Sequence, residues 1–164
     1  MRELDPKTLT ENVFTLFDDR WTLITAGTKE KCNTMTASWG GLGVLWNKPV
    51  ATIYVRPQRY TYGFLEENDW FTLSFLPEDR RDALAYCGAN SGRDGDKFAA
   101  CGLHPAFHGE APYVEEAELV LVCRKRYRND LDPAAMDADA LSYYKEHDCH
   151  RMYIGEIVSV LVKG

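Results

Sequence analysis

The sequence predicts a mostly β fold: a small antiparallel barrel with short helices on its outside. Six or more segments are rich in β-branched and aromatic residues, and only short helical segments separate them. The chain has 164 residues and is 45% hydrophobic, which suits one globular domain, residues 1–164, with a single core. Because closure of the sheet removes exposed strand edges, we expect a barrel for these strands.

Four strands and one helix are predicted in the first half of the chain. The segments "NVFTLFD" and "RWTLITAGT" are separated by a short Asp-rich turn, and "VATIYV" and "WFTLSFL" follow. Between the last two, "RYTYGFLEEN" places Tyr60, Phe64 and Leu65 on one side and ends at Asn68. This spacing predicts a helix between two strands.

Two further helices and the two longest strands are predicted in the second half. The helix in "EDRRDALAYCG" stops at Gly88, and the helix in "DKFAACG" is capped by Asp94 or Asp96 and closed by Gly102. The long strands are "AELVLVCRKRYR" and "RMYIGEIVSVLVKG". Between them lies an acidic segment, residues 130–148, in which Pro133 opens a turn or a short helix and to which we assign no chemistry.

Composition limits the classes of partner. Lys plus Arg total 19 against 25 Asp plus Glu, so the net charge of −6 disfavours general nucleic-acid binding. The sequence has no signal-peptide pattern and no uncharged run that would cross a bilayer, so we expect a soluble, cytoplasmic protein. The five cysteines show no CxxC spacing, and we expect reduced thiols that act mainly as small apolar fillers.

The segment Asn33–Trp39 is rich in small and hydroxylated residues where bulky ones would be expected. On a strand, Thr34, Thr36 and Ser38 would send their hydroxyls to one face, and their small size would let a ligand lie close to the backbone. The alternative is an ordinary Thr-rich strand that leads into a Gly-rich turn.

Two arginines precede the first predicted helix. Arg56 and Arg59, together with Thr61, would form a phosphate site at the start of that helix, where unpaired N–H groups carry partial positive charge. A Gly- and Ser-rich loop, "ANSGRDGDKF", carries Arg93 and Lys97 and would be flexible enough to close over a ligand, although a solvated turn followed by a capped helix explains its composition better. The alternative for the arginine pair is a set of salt bridges to nearby carboxylates: Glu66, Glu67 or Asp69.

Histidine and cysteine crowd together before the last strand. His147, Cys149 and His150 offer no convergent set of three or four ligands, so a metal site is disfavoured. His150, at the start of the strand, is a candidate proton donor or hydrogen-bond partner beside a ligand, or else a surface histidine. The run "RKRYR" is best explained as a solvated strand face.

Five elements occur in one order from Asn33 to the end of the chain. They are "NTMTASW", "VRPQRYTYGFLEEN" with the strand "WFTLSF", "SGRDGDKF", "APYVEEAELVLVCRKRY" and "HRMYIGEIVSVLV". Because these five elements occur together and in this order, the chain resembles the flavin reductase-like family, the FMN-binding split barrels that include flavoredoxin. The resemblance implies a homodimer of six-stranded antiparallel barrels, with one FMN per subunit near the interface.

The resemblance also implies roles for individual residues. His150 matches a histidine that lies close to flavin and nucleotide in nicotinamide-using relatives, and we predict it as the catalytic residue. We expect the following residues to bind the flavin ring: Asn33, Met35, Thr36, Ala37, Ser38 and Trp39. We expect the phosphate end to be held by Arg56, Arg59, Tyr60 and Thr61, with Lys97 reaching in from its loop.

The implied function is an FMN-dependent oxidoreductase, a flavin reductase that moves electrons from NAD(P)H to flavin or to a downstream acceptor. A flavoredoxin-type electron carrier that lacks a nicotinamide site and works through a protein partner is the alternative. A binder of another small ligand on the same barrel is a third possibility, because fold alone does not fix activity.

Overall fold

The computed structural model describes residues 1–164, which form ten strands and five short helices. The strands are β1 Arg2–Leu4, β2 Thr22–Gly27, β3 Cys32–Ala37, β4 Gly40–Leu45, β5 Lys48–Val55, β6 Trp70–Phe75, β7 Pro105–His108, β8 Ala111–Val114, β9 Leu119–Asp130 and β10 Arg151–Val162. The helices are α1 Val13–Thr15, α2 Tyr60–Glu67, α3 Arg81–Ala89, α4 Lys97–Cys101 and α5 Ala138–Leu141. None of these helices is both long and apolar enough to cross a membrane.

Eight strands form one sheet in which every neighbouring pair is antiparallel. Its order is β3-β2-β6-β9-β10-β5-β4, with β1 paired to the far end of β10, while β7 and β8 form a separate hairpin. The predicted mostly β, antiparallel class with short peripheral helices is confirmed. The sheet has eight strands where six were predicted, because it includes the three-residue β1 and the glycine-rich β4, whose composition is poor in strand formers.

The segment "NVFTLFD" is not a strand. Residues Val13–Thr15 form one helical turn that continues as a wider turn over Leu16–Arg20. The side chain of Asn12 caps this turn by accepting a hydrogen bond from the backbone N–H of Phe14. Leu16 and Phe17 are buried in the core, so the predicted apolar segment is present, but its backbone is helical and not extended.

The core lies on both faces of the sheet, as the alternation along β9 shows. Leu121 and Cys123 pack with Phe71 and Tyr153 on one face. Val120 and Val122 face the opposite way and pack under α3 and α4, together with Leu84, Cys87 and Phe98. Burial on both faces explains why "LVLVC" is continuously apolar.

The three later helices form where the sequence predicts them. Helix α2 follows Arg59, and α3 extends one residue beyond Gly88. Asp96, and not Asp94, caps α4, because its carboxylate accepts hydrogen bonds from the backbone N–H groups of Phe98 and Ala99. Gly102 closes α4 with a φ of +59°, a conformation that favours glycine.

Candidate functional site

An open cavity of about 280 Å³ lies where the end of β3, the end of β5 and the start of β10 meet α2 and α3. Ten residues line it: Met35, Thr36, Ala37, Ser38, Trp39, Tyr54, Arg56, Arg59, Gly88 and His150. Eight of these ten are site residues predicted from the sequence. The two that were not predicted are Tyr54, which lies on β5 one residue before Val55, the partner of Arg151, and Gly88, which the packing of α3 on β3 brings to the cavity.

The wall formed by β3 uses some of its hydroxyls internally. The Thr34 hydroxyl is buried 2.9 Å from that of Thr25, and the Thr36 hydroxyl donates to the carbonyl of Leu84 on α3. Of the three hydroxyls that were predicted to share one face, only that of Ser38 makes no hydrogen bond within the chain and stays available to a ligand.

Arg59 provides a half-buried cation at the start of α2. Its Nη1 donates to the carbonyl of Gly88 at 3.1 Å. Its Nη2 is buried without a hydrogen-bond partner, the one such side-chain atom in the protein. Burial lowers the pKa of Arg59 from its ordinary value, which reflects the cost of desolvating its charge. An unpaired buried guanidinium N–H is costly, so this position is suited to accept an anion.

Arg56 lines the same cavity, but its charge is already paired. Its Nη1 lies 2.6 Å from a carboxylate oxygen of Asp148, and its Nη2 donates to the carbonyl of Tyr143. Gln58 donates to the same Asp148 oxygen, and these hydrogen bonds from Gln58 and Arg56 lower the pKa of the Asp148 carboxyl. The partner of Arg56 is therefore Asp148 and none of the carboxylates near α2.

His150 is a buried, neutral histidine at the wall of the cavity. It is 8% exposed, and Trp39 and Tyr54 lie beside it with ring centroids at 5.3 and 6.5 Å. Burial, and then the charge of Arg56, lower the pKa of His150 to about 4. Its Nδ1 lies 2.7 Å from the hydroxyl of Tyr144. Because a phenol is a better proton donor than a neutral imidazole, Tyr144 donates to Nδ1 and the ring proton lies on Nε2.

The acidic segment, residues 130–148, to which no chemistry was assigned from the sequence, contacts three residues that line the cavity: Trp39, Arg56 and His150. Besides Tyr144 and Asp148, it places the ring of Tyr143 edge-on against Trp39, with centroids 5.6 Å apart. The one signal in the sequence was the adjacent pair of tyrosines in an otherwise acidic stretch. Aromatic residues there indicate a surface to pack against.

Four predicted site residues do not line this cavity. The Asn33 side chain donates to the Thr61 hydroxyl at 2.8 Å, and both residues are buried. Lys97 is 4% exposed, and its Nζ donates to the carbonyls of Cys87 and Asn90; burial lowers its pKa to about 8. Asn33, Thr61 and Lys97 thus brace the elements around the site. The fourth, Tyr60, lines a neighbouring cavity.

This second cavity, of about 370 Å³, shares Arg59 with the first. The cations of Lys31 and Arg93 lie 5.6 and 5.0 Å from the ring centroid of Tyr60. Three basic side chains therefore surround the start of α2 in a chain whose net charge is −6. The two cavities together offer a flat wall at one end and positive charge at the other.

The loop beside this second cavity, residues 90–96, is held at two points. A Cβ on Gly92 would lie only 2.2 Å from Oδ1 of Asn33, so the backbone packs directly against that side chain. Arg93 donates to the carbonyl of Gln58 at 2.9 Å. The loop is therefore packed in place, although its composition predicted flexibility.

A family model described as the flavin reductase like domain matches residues 15–164, which is most of the chain. No curated protein sequence matches this chain.

Similar solved structures agree with the fold. Flavoredoxin from Methanosarcina acetivorans is 23% identical with a TM-score of 0.72, and the match covers 98% of this chain and 76% of that one. An FMN-binding protein from Thermus thermophilus, solved with bound 1-cyclohex-2-enone, is 21% identical with a TM-score of 0.69 and coverages of 99% and 80%. An NADH:FAD oxidoreductase from Streptomyces globisporus, solved with NAD and FAD fragments, is 19% identical with a TM-score of 0.65 and coverages of 87% and 74%.

Proposed function

Because the chain belongs to the flavin reductase-like domain family, as its sequence motifs predict, we propose that it binds FMN and acts as an oxidoreductase. In this proposal NAD(P)H supplies electrons that pass to flavin or to a downstream acceptor. The similar structures include an FMN-binding protein and an oxidoreductase that uses NADH, which supports this assignment.

The observation that carries the proposal is the buried, unpaired Nη2 of Arg59. A guanidinium is well suited to hydrogen-bond a phosphate group, and here the carbonyl of Gly88 fixes Nη1 while Nη2 has no partner. Lys31 and Arg93, around Tyr60, add positive charge on the same side. We assign the phosphate end of FMN to this region.

The residues Met35–Trp39 would hold the flat ring. Three of them, Ala37, Ser38 and Trp39, are half-buried or exposed at the point where β3 ends, so both side chains and backbone amides are accessible from the cavity. The free hydroxyl of Ser38 is the best-placed hydrogen-bond donor to a ring heteroatom. FMN supplies the redox chemistry when it is bound, accepting a hydride and releasing electrons singly or in pairs.

The part of the protein in that chemistry is to bind, to orient and to exclude water. His150 presents a neutral imidazole to the cavity and, with Nδ1 bound by Tyr144, holds a proton at Nε2. This proton can be donated in a hydrogen bond without adding charge to the site. Trp39 covers the imidazole on one side and limits the access of water to it.

We propose that the protein is a homodimer. The first cavity is open and, at about 280 Å³, lies just below the usual range of roughly 300–1,000 Å³ for ligand sites, so a second copy would complete its wall. Edge strand β4 and its turn expose Val44 at 76% and Trp46 at 52%, and Trp39, which precedes the strand at its other end, is also exposed. An exposed apolar edge of this kind is usually covered. Sedimentation equilibrium should give twice the chain mass of 18.7 kDa.

A second candidate function is an electron carrier of the flavoredoxin type, which receives electrons from a protein partner. Two observations favour it: His150 is only 8% exposed, and the acidic segment packs Tyr144 against His150 and Tyr143 against Trp39, which narrows the approach of a nicotinamide. One of the similar structures is a flavoredoxin.

A visible absorption spectrum separates these functions. The protein is measured as purified, after addition of FMN and removal of the unbound excess, and then under anaerobic conditions with NADH followed by NADPH. Bound flavin that bleaches at once with either nucleotide supports the reductase. Bound flavin that persists until dithionite is added favours the carrier, and no retained flavin overturns FMN binding itself.

A further inference from the structure

Two cysteines that have no part in the proposed function face each other behind the site. The Sγ atoms of Cys87 on α3 and Cys101 on α4 lie 4.0 Å apart. Cys87 is fully buried in the core under the two helices, whereas Cys101 is partly exposed at the end of α4. Among the five cysteines, this is the one pair whose sulfurs lie within contact distance.

We propose that Cys87 and Cys101 form a reversible disulfide, so that the protein carries a site for oxidation by peroxides. A disulfide has an S–S length of about 2.05 Å, so the sulfurs must approach by roughly 2 Å, which a rotation of the Cys101 side chain and a small shift of the short helix α4 can provide. Residues 90–96 join the two helices; Gly92 stays packed on Asn33, whereas a Cβ on Gly95 would meet nothing within 4 Å, so the part of the loop next to α4 has room to follow the shift.

The exposure of the two thiols sets the order of reaction. Cys101, which solvent can reach, attacks one oxygen of hydrogen peroxide; the O–O bond breaks, and a sulfenic acid and one water form. The sulfur of Cys87 then attacks the sulfenic sulfur, the S–S bond forms, and the hydroxyl leaves as a second water with the Cys87 proton. Two thiols are oxidised by two electrons and one peroxide is reduced to two waters.

The pair is linked mechanically to the anion end of the candidate site. The carbonyl of Cys87 accepts a hydrogen bond from Lys97 at 2.9 Å, and the carbonyl of the next residue, Gly88, accepts one from Arg59 at 3.1 Å. Because the disulfide would also displace the last turn of α3, which holds Cys87 and Gly88, it would move the carbonyl that positions Arg59. We infer that oxidation changes the environment of the Arg59 guanidinium. This change does not require that Arg59 bind a phosphate; only its effect on FMN binding rests on the proposed function.

The first test uses the full chain without flavin. It is treated with a small excess of hydrogen peroxide, unfolded in an alkylating reagent and mapped by mass spectrometry. We expect a loss of two alkylatable thiols, a crosslinked peptide pair containing Cys87 and Cys101, and full recovery after dithiothreitol. Cys101→Ser should abolish the crosslink, whereas Cys149→Ser, a matched change at another partly exposed cysteine, should leave it intact.

Three results would overturn the proposal: all five thiols stay free, Cys101 is oxidised to a sulfinic acid without a crosslink, or the crosslink forms to Cys32.

The link to Arg59 is tested separately by its side-chain Nε–H resonance in ¹H–¹⁵N spectra of the reduced and oxidised protein. We expect this resonance to move on oxidation in the wild-type chain and to stay in place in Cys101→Ser; an unmoved resonance in the wild type overturns the link. Neither readout requires bound FMN, so failure of the FMN proposal is distinguishable from failure of this one.

Discussion

The hydroxyl of Tyr144 lies 2.7 Å from Nδ1 of His150, and each of the two residues is only 8% exposed. The pair joins the acidic segment to the first residue before β10. It fixes which nitrogen of the imidazole carries the proton, and so determines whether His150 offers a hydrogen-bond donor or an acceptor to a ligand in the cavity.

Replacing Tyr144 with Phe should remove the preference of His150 for the Nε2–H tautomer. In the wild type we expect the Nε2–H form, with a titration midpoint near pH 4. In Tyr144→Phe the Nδ1–H form should gain population and the pKa of His150 should rise, because the lost hydrogen bond stabilises the neutral ring. Imidazole ¹H–¹⁵N spectra measure both quantities. Tyr143→Phe, which removes an exposed hydroxyl, is the control, and an unchanged tautomer in Tyr144→Phe would contradict the assignment.

His150 should also make stability depend on pH. The folded pKa of about 4 lies below the ordinary 6.5, so the unfolded chain binds a proton first as the pH falls. The stabilisation is fully present above pH 6.5 and decreases between pH 6.5 and 4. Urea unfolding over this range should show a steeper loss for the wild type than for His150→Gln. Parallel curves for the two proteins would show that His150 does not titrate as described.

The two arginines of the site should differ in their effect on FMN. Arg59→Ala should weaken FMN binding by roughly 1.5–3 kcal/mol, as expected for a lost charge-assisted hydrogen bond. Arg56→Ala should cost less, on the order of 1 kcal/mol or below, because Asp148 already pairs with this charge. Fluorescence titration of FMN into each variant gives the affinities. Equal losses, or no loss for Arg59→Ala, would remove Arg59 from the phosphate site.

His150→Ala should separate binding from turnover. We expect FMN to stay bound while NAD(P)H oxidation falls by roughly 100- to 1,000-fold, the loss typical of removing one hydrogen-bond donor at the reacting centre. Stopped-flow bleaching of the bound flavin measures this step directly. Release of FMN from the variant would instead show that His150 holds the cofactor.

One glycine in β10 should be intolerant of any side chain. A Cβ on Gly155 would lie 2.6 Å from the Phe71 ring and 2.9 Å from Cβ of Cys123, both of which are fully buried. Gly155→Ala should therefore lower the free energy of unfolding by about 1–3 kcal/mol through overpacking. Gly43→Ala, on the edge strand where a Cβ meets nothing within 4 Å, is the matched control. Urea unfolding of both variants tests the contrast.

Much of the fold was readable from periodicity and composition because those signals act locally. The caps of α4 at Asp96 and Gly102 and the apolar run of β9 depend on a few neighbouring residues. The failure at "NVFTLFD" has the same origin, since its strand-like composition is overridden by the Asn12 cap and by the burial of Leu16 and Phe17. The glycine-rich β4 forms because it pairs with β5 along its whole length.

The site was only partly predictable because it is assembled from distant segments. The cluster around β3 and Arg59 is contiguous enough to be found by motif, whereas Asp148 reaches Arg56 across 92 positions of sequence. Burial also decides which polar groups remain available: Asn33 and Lys97 have the right chemistry, but each is committed to a partner within the chain. Composition does not reveal such commitments.

The close packing of Gly92 on Asn33 bears on how the site would select what enters it. A loop that is already in place loses little conformational freedom when a ligand arrives, so little of the binding free energy is consumed in ordering the chain. Discrimination then depends on the fixed shape and charge of the opening and not on closure around a preferred molecule. With such a rigid opening, we expect ligands of different fit to associate at similar rates and to differ mainly in their dissociation rates.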